Sequence, residues 1–147
     1  MIIKEKTQED FCSNEVSKLL KEKGFDWDCV ACYNKDGDLL TIYDNTIGGV
    51  APADWNHMTR EEYGRIGLAA WYGNISCPTS QVALRWLRKK YNIIIVIDYN
   101  EDEGCEINER WGFTVFVNNC RNVDLATYPT PEETVDAALK YALKKLI

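Results

Sequence analysis

Residues 93–97 read Ile-Ile-Ile-Val-Ile, five β-branched side chains in succession. Such residues lose rotamer freedom in a helix and fit the pleated surface of a sheet. An apolar run without alternation predicts a central strand buried on both faces. The rest of the chain must then supply neighbours for its edges and layers for its faces. At five residues the run is also far too short to cross a bilayer as a helix, which takes about 20.

The flanks supply both. Phe113, Val115 and Val117 alternate with Thr114, Phe116 and Asn118, the period of a second strand. The acidic stretch 98–109, with Gly104 inside it, is the expected loop, so the two strands should pair antiparallel. Upstream, Pro78 suits a helix start because its missing N–H would be an orphan there anyway. Ala83, Trp86, Leu87 and Tyr91 give that helix an apolar stripe. Downstream, Thr130-Pro131-Glu132-Glu133 combines an N-cap, Pro at the first helical position and Glu at the third. Val135, Ala138, Leu139, Ala142, Leu143 and Leu146 then share one face. Asp136 and Lys140 make an i, i+4 pair, and Lys144 and Lys145 suit the negative end of the helix dipole.

In the first half, a helix is predicted over residues 7–23. Thr7 and Asp10 have capping-box spacing, Cys12, Val16, Leu19 and Leu20 form the stripe, and Gly24 with Phe25 offers a Schellman ending. Strands over 29–33 and 39–43 should form a hairpin around the Asp36-Gly37 turn. Residues 44–75 are the least regular part. Gly48-Gly49 and Pro52 interrupt structure, while Thr59-Arg60-Glu61-Glu62 is a capping box for a helix from Arg60, with Gly64 and Gly67 inside it. The aromatics that end the segment, Trp71 and Tyr72, suggest that it packs down.

Strands and helices do not alternate strictly. The expected class is α+β: one mainly antiparallel sheet of about four strands, with three or four helices chiefly on one face. The 147 residues fit a single domain, 1–147, in which 44–75 is a helical and loop insert. Five Trp and eight Tyr exclude a disordered chain. The opening Met-Ile-Ile-Lys-Glu-Lys lacks the apolar region of a secretory signal, so a cytoplasmic protein with no membrane association is expected. In a reducing cytosol its six cysteines would be free thiols. The formal net charge of −6 disfavours general binding to nucleic acid or anionic lipid.

Several residue patterns carry possible chemistry. Cys29-Val-Ala-Cys32 is a CxxC, but it falls in a predicted strand, away from the helix N-terminus that lowers a redox thiol's pKa. Cys12, Cys77, Cys105 and Cys120 are scattered singly, and His57 is the sole histidine, so no zinc set forms and the thiols read as buried small hydrophobes. Asp98, Asn100, Asp102 and Glu109 have the 1, 3, 5, 12 spacing of a calcium loop. Glu103 stands where its glycine should, however, and the flanks are strands. No metal and no cofactor are expected. Asp54-Trp55-Asn56-His57 sets the histidine beside a carboxylate in a loop, yet no nucleophile elbow and no phosphate-binding loop accompany it.

Two patterns suggest binding instead. Trp55, Tyr63, Trp71 and Tyr72 crowd the insert, and aromatics with Arg dominate interface hot spots. Arg85, Arg88, Lys89 and Lys90 make the outer face of the helix over 79–91 basic, with Trp86 adjoining. Such a face can track a nucleic-acid backbone and stack a base, or it can be neutralised internally by the acidic loop.

The run Cys77-Pro78-Thr79-Ser80-Gln81, followed by Ala83-Leu84-Arg85-Trp86-Leu87-Arg88, with the helices over 11–24 and 130–146, resembles a family of small uncharacterised proteins. That family comes from gut Bacteroides-type bacteria and their phages and prophages. The resemblance covers about half the chain, and the insert 44–75 departs from it. It implies an accessory protein of a mobile element and transfers no site residue. The expected function is therefore a small, non-catalytic binding protein with a protein partner or a second copy of itself. Its candidate contacts are Trp55, Tyr63, Trp71, Tyr72, Arg85, Trp86 and Arg88. Single-stranded nucleic-acid binding through the basic helix and enzyme chemistry at His57 are the alternatives.

Overall fold

The computed structural model describes residues 11–44, 50–102, 104, 106–123 and 126–147. The Thr7–Asp10 capping box, Gly48-Gly49, Glu103 and Cys105 lie outside them. The fold is α+β. The described residues fall into two compact units, 11–79 and 80–147. Each has its own three-stranded antiparallel sheet, in place of the one sheet of about four strands that the sequence predicts. Two strands were illegible: one has only two residues, and the other carries no apolar alternation.

The unit 11–79 begins with helix α1 (Asn14–Glu22). It starts later than the predicted residue 7: Phe11 is in a β-bridge to Thr79, and the Ser13 hydroxyl caps the helix by accepting from Val16 N–H at 3.2 Å. Its end is the expected Schellman turn. Gly24 takes φ 87°, and the N–H groups of Gly24 and Phe25 donate to the carbonyls of Lys21 and Leu20. Phe25 is fully buried. Strands β1 (Ala31–Tyr33) and β2 (Leu39–Thr41) form the predicted hairpin. Asn34 organises its turn: the side-chain oxygen accepts from the N–H groups of Asp36 and Asp38, both at 2.9 Å.

The insert is built into this unit. Helix α2 (Arg60–Arg65) has the full Thr59/Glu62 capping box. It is shorter than the pattern suggests because Gly67, at φ 76°, ends it in a second Schellman turn, with Leu68 N–H donating to Tyr63 carbonyl at 2.9 Å. Strand β3 (Ile75–Ser76) pairs with β1, and α1 packs on it. Asn56 ties the insert down three ways. Its amide donates to Phe25 carbonyl at 3.0 Å, its side-chain oxygen accepts from Ser76 N–H at 2.9 Å, and its own N–H donates to Ser76 Oγ at 3.1 Å.

The unit 80–147 opens with helix α3 (Ser80–Tyr91), two residues after Pro78, and buries Ala83, Trp86 and Leu87. Asn92, at φ 54°, turns the chain into strand β4 (Ile93–Tyr99). Strand β5 (Trp111–Val117) pairs with β4 antiparallel, Ile95 opposite Val115, as predicted. β5 is the central strand, and β6 (Cys120–Val123) flanks it. The β5–β6 link is Asn118-Asn119, both at positive φ, the conformation of a type I′ hairpin turn that Asn tolerates. Helix α4 (Pro131–Lys145) starts at its Thr130 cap, which accepts from Glu133 N–H at 3.2 Å. It packs on β5 and β4, with Tyr141 against Phe113, and touches α3. Asp136 and Lys140 pair at 2.8 Å. Thr134, rather than Val135, is fully buried, because its hydroxyl donates to the Thr130 carbonyl at 2.7 Å.

The prediction that β4 is central and buried on both faces does not hold. Among the described residues β4 ends its sheet, and its burial alternates. Ile93 is buried, whereas Ile94 is 43% and Val96 40% exposed. Among the described residues, no helix is long and apolar enough to cross a membrane.

Asn56→Ala should cost about 2–3 kcal/mol, since it strands the buried-side N–H of Ser76 and the Phe25 carbonyl. Urea unfolding of the full chain measures this; an unchanged midpoint would contradict the clamp.

Candidate functional site

The seven residues singled out for binding divide between the units. In the unit 11–79, the insert's four aromatics do meet, as one chain of rings. Trp71 meets Trp55 edge-on at 5.5 Å, Trp55 lies 6.0 Å from Tyr63, and Tyr63 lies 6.0 Å from Tyr72. Their role is largely internal. Trp55 and Tyr63 are buried, with Trp55 Nε1 donating to Cys29 carbonyl at 2.8 Å and Tyr63 hydroxyl to Trp55 carbonyl at 2.6 Å. Trp71 is half-buried. Only Tyr72 is exposed, and the Arg60 guanidinium lies over its ring at 4.8 Å.

In the unit 80–147, Trp86 is 1% exposed and packs edge-on against Tyr91 at 5.4 Å. It offers no ring to a nucleic-acid base. Arg85 and Arg88 are exposed and reach a shared feature, a groove of about 240 Å³ between α3 and the first three residues of β4. Leu84, Arg85 and Arg88 of α3 form one wall and Ile93, Ile94 and Ile95 the other. Among the described residues neither guanidinium has an ion-pair or hydrogen-bond partner, so the acidic loop does not neutralise this pair internally. That loop follows the far end of β4. Asn100 N–H closes it onto Arg110 carbonyl at 2.8 Å, and Glu101 and Asp102 are exposed. Asp98 accepts from Thr114 Oγ1 at 3.2 Å, a cross-strand bond that occupies one candidate calcium ligand.

The pleat decides what the edge displays. Pairing with β5 puts Ile93, Ile95 and Ile97 on the face of Phe113 and Val115, which α4 covers. Ile94 and Val96 share the opposite face with Thr114 and Phe116. The sequence held the residues of this surface but not its exposure, since an isoleucine run does not say which strand is last in its sheet.

His57 lies in a separate cleft of about 330 Å³ in the unit 11–79, lined by Asp28, Asp54, Met58 and Glu62. Its Nδ1 is 2.8 Å from Asp54 Oδ2. A carboxylate there holds the ring with Nε2 free to take a proton. The thiol electrostatically coupled to that carboxylate, Cys29, is unsuited to attack. Burial pushes it far up, and Cys77 and the Asp54 and Asp28 carboxylates add to the effect. Burial likewise raises Cys32 to about 11, against a hydrogen bond from Asn74, and Cys77 to about 12, against the nearby polar groups of Ser17 and Tyr33. The five described cysteines are free, Cys120 alone being exposed, and no metal-ligand cluster occurs among the described residues.

These thiols yield a pH prediction. An unfolded thiol ionises near 9.0, whereas folded Cys32 and Cys77 keep their protons to about 11 and 12. Their contribution is complete below pH 9 and lost as pH rises through the folded values. The urea midpoint should therefore fall above pH 9. Iodoacetamide at pH 8 should modify Cys120 while sparing Cys29, Cys32 and Cys77 until the chain unfolds; even labelling of all four would refute their burial.

No family model matches the chain, and comparison with curated proteins and with solved structures finds no match to either.

Proposed function

We propose that this chain is a small, non-catalytic interaction protein that binds an extended polypeptide along the outer edge of β4. One observation carries the reading. Among the described residues, a seven-residue strand ends its sheet, shows Ile94 and Val96 to solvent, and lies beside two guanidinium groups without partners. Edge strands present a row of unpaired N–H and C=O groups, and proteins usually blunt them with Pro, Lys or bulges. β4 has no Pro or Lys along Ile93–Tyr99. Strand addition to such an edge takes affinity from main-chain hydrogen bonds and selectivity from alternate side chains. Arg85 and Arg88 favour carboxylates on the incoming strand. In the phage or prophage setting that the resemblance implies, the protein would act by engaging a partner chain.

The basic helix supports a nucleic-acid reading less well, because the ring that would stack a base is in the core. Enzyme chemistry has one observation in its favour, the Asp54–His57 pair in its cleft. It would appear as hydrolysis of activated esters that is lost in His57→Gln; equal rates in both proteins would reject it.

The main reading predicts that a peptide alternating Val with Glu shifts the amide resonances of 93–97 and of α3, and that a Val/Lys peptide does so at least about tenfold more weakly. Shifts confined to the His57 cleft, or none at millimolar peptide under conditions where the chain sediments as a monomer, would remove the reading.

A further inference from the structure

We infer that the strand completing the β4 edge is β4 of a second copy of this chain, placed antiparallel about a two-fold axis. The inference rests on the edge-binding reading above and names its occupant. The argument is charge complementarity along a single strand. Near its start, β4 runs beside Arg85 and Arg88, and immediately after its end comes a chain carrying exposed Glu101 and Asp102.

Within one molecule these charges belong to opposite ends of a seven-residue strand, about 20 Å long. A two-fold antiparallel pairing reverses the second strand and brings unlike ends together, twice. Centred on Val96, it sets Ile94 opposite Asp98 of the second copy and Ile93 opposite Tyr99. The second copy's Glu101 and Asp102 then continue toward the last turn of α3, where Arg88 stands. A parallel neighbour would instead align basic end with basic end.

The apolar residues fit the same operation. Such a two-fold keeps side chains of one parity on one face, so Val96 meets Val96 of the second copy with each Ile94 diagonal to it, and the second copy's Asp98 closes the strip opposite Ile94. Two three-stranded sheets thereby become one of six strands, and each β4 loses its open edge.

Sedimentation of the full chain across micromolar concentrations tests this. Wild type should be a dimer. Val96→Lys, an exposed position on the open face, should shift it to monomer without changing its circular dichroism. Arg88→Glu and Glu101→Lys should each weaken dimerisation about tenfold, and the double variant Arg88→Glu/Glu101→Lys should recover it. A monomer at all concentrations, or a dimer indifferent to Val96→Lys, would overturn the inference. If that monomer still binds the Val/Glu peptide at β4, the edge-binding reading stands and only its occupant was wrong. A monomer whose 93–97 amides resist hydrogen exchange without peptide would assign the edge to its own chain and overturn both.

Discussion

The seven-pair ladder between β4 and β5 governs what this protein can present to others. Once Ile95 stands opposite Val115, the period-two pleat assigns every neighbouring side chain to a face. Ile93, Phe113 and Val115 go under α4, and Ile94 and Val96 go to solvent. A shift of one residue would exchange the sets, exposing Ile93, Ile95 and Ile97 and burying residues that have no helix above them. The register is thus held by the hydrophobic cost of its alternative. The exposed Ile94 and Val96 are the by-product of a register that gives α4 the opposite face, although Thr114 beside them is buried.

The unit 11–79 is stabilised differently. Its strands have two or three residues each, too short to hold together by ladder alone. Aromatic packing and side-chain hydrogen bonds to the backbone take over. Trp55 and Tyr63 contribute large apolar surfaces, while their polar atoms meet the Cys29 and Trp55 carbonyls. Asn56 substitutes for a longer ladder by bonding both to Ser76 and to Phe25. The insert's density of aromatics is therefore accounted for mainly by core formation. In the proposed reading, interface chemistry falls to Tyr72 and, in the other unit, to Arg85, Arg88 and the β4 edge.

Two acid–base features lie outside the proposed binding surface. The buried thiols behave as apolar filling whose ionisation the interior opposes. The His57–Asp54 pair is geometrically sound but sits in a cleft of carboxylates, and the one thiol coupled to it is held protonated. An oriented imidazole without an activated nucleophile has only water to activate, a weaker basis for function than an open strand edge with unlike charges at its two ends.

Local chemistry settled what could be read directly. Ser, Thr and Gly at the ends of periodic runs fixed helix termini, as the Thr59, Thr130 and Gly24 caps show, because capping depends on residues within a few positions. The antiparallel partnership of β4 and β5 was equally plain from two apolar runs around one acidic loop. What escaped were properties that depend on distant chain. Ile75–Ser76 is a strand only because β1 lies beside it. Above all, five consecutive β-branched residues determined that 93–97 would be a strand, whereas its register with β5 and the face that α4 packs on determined which of them face water. Secondary structure followed from backbone sterics and side-chain shape; exposure followed from which surfaces were left over once the sheet and its helices had packed.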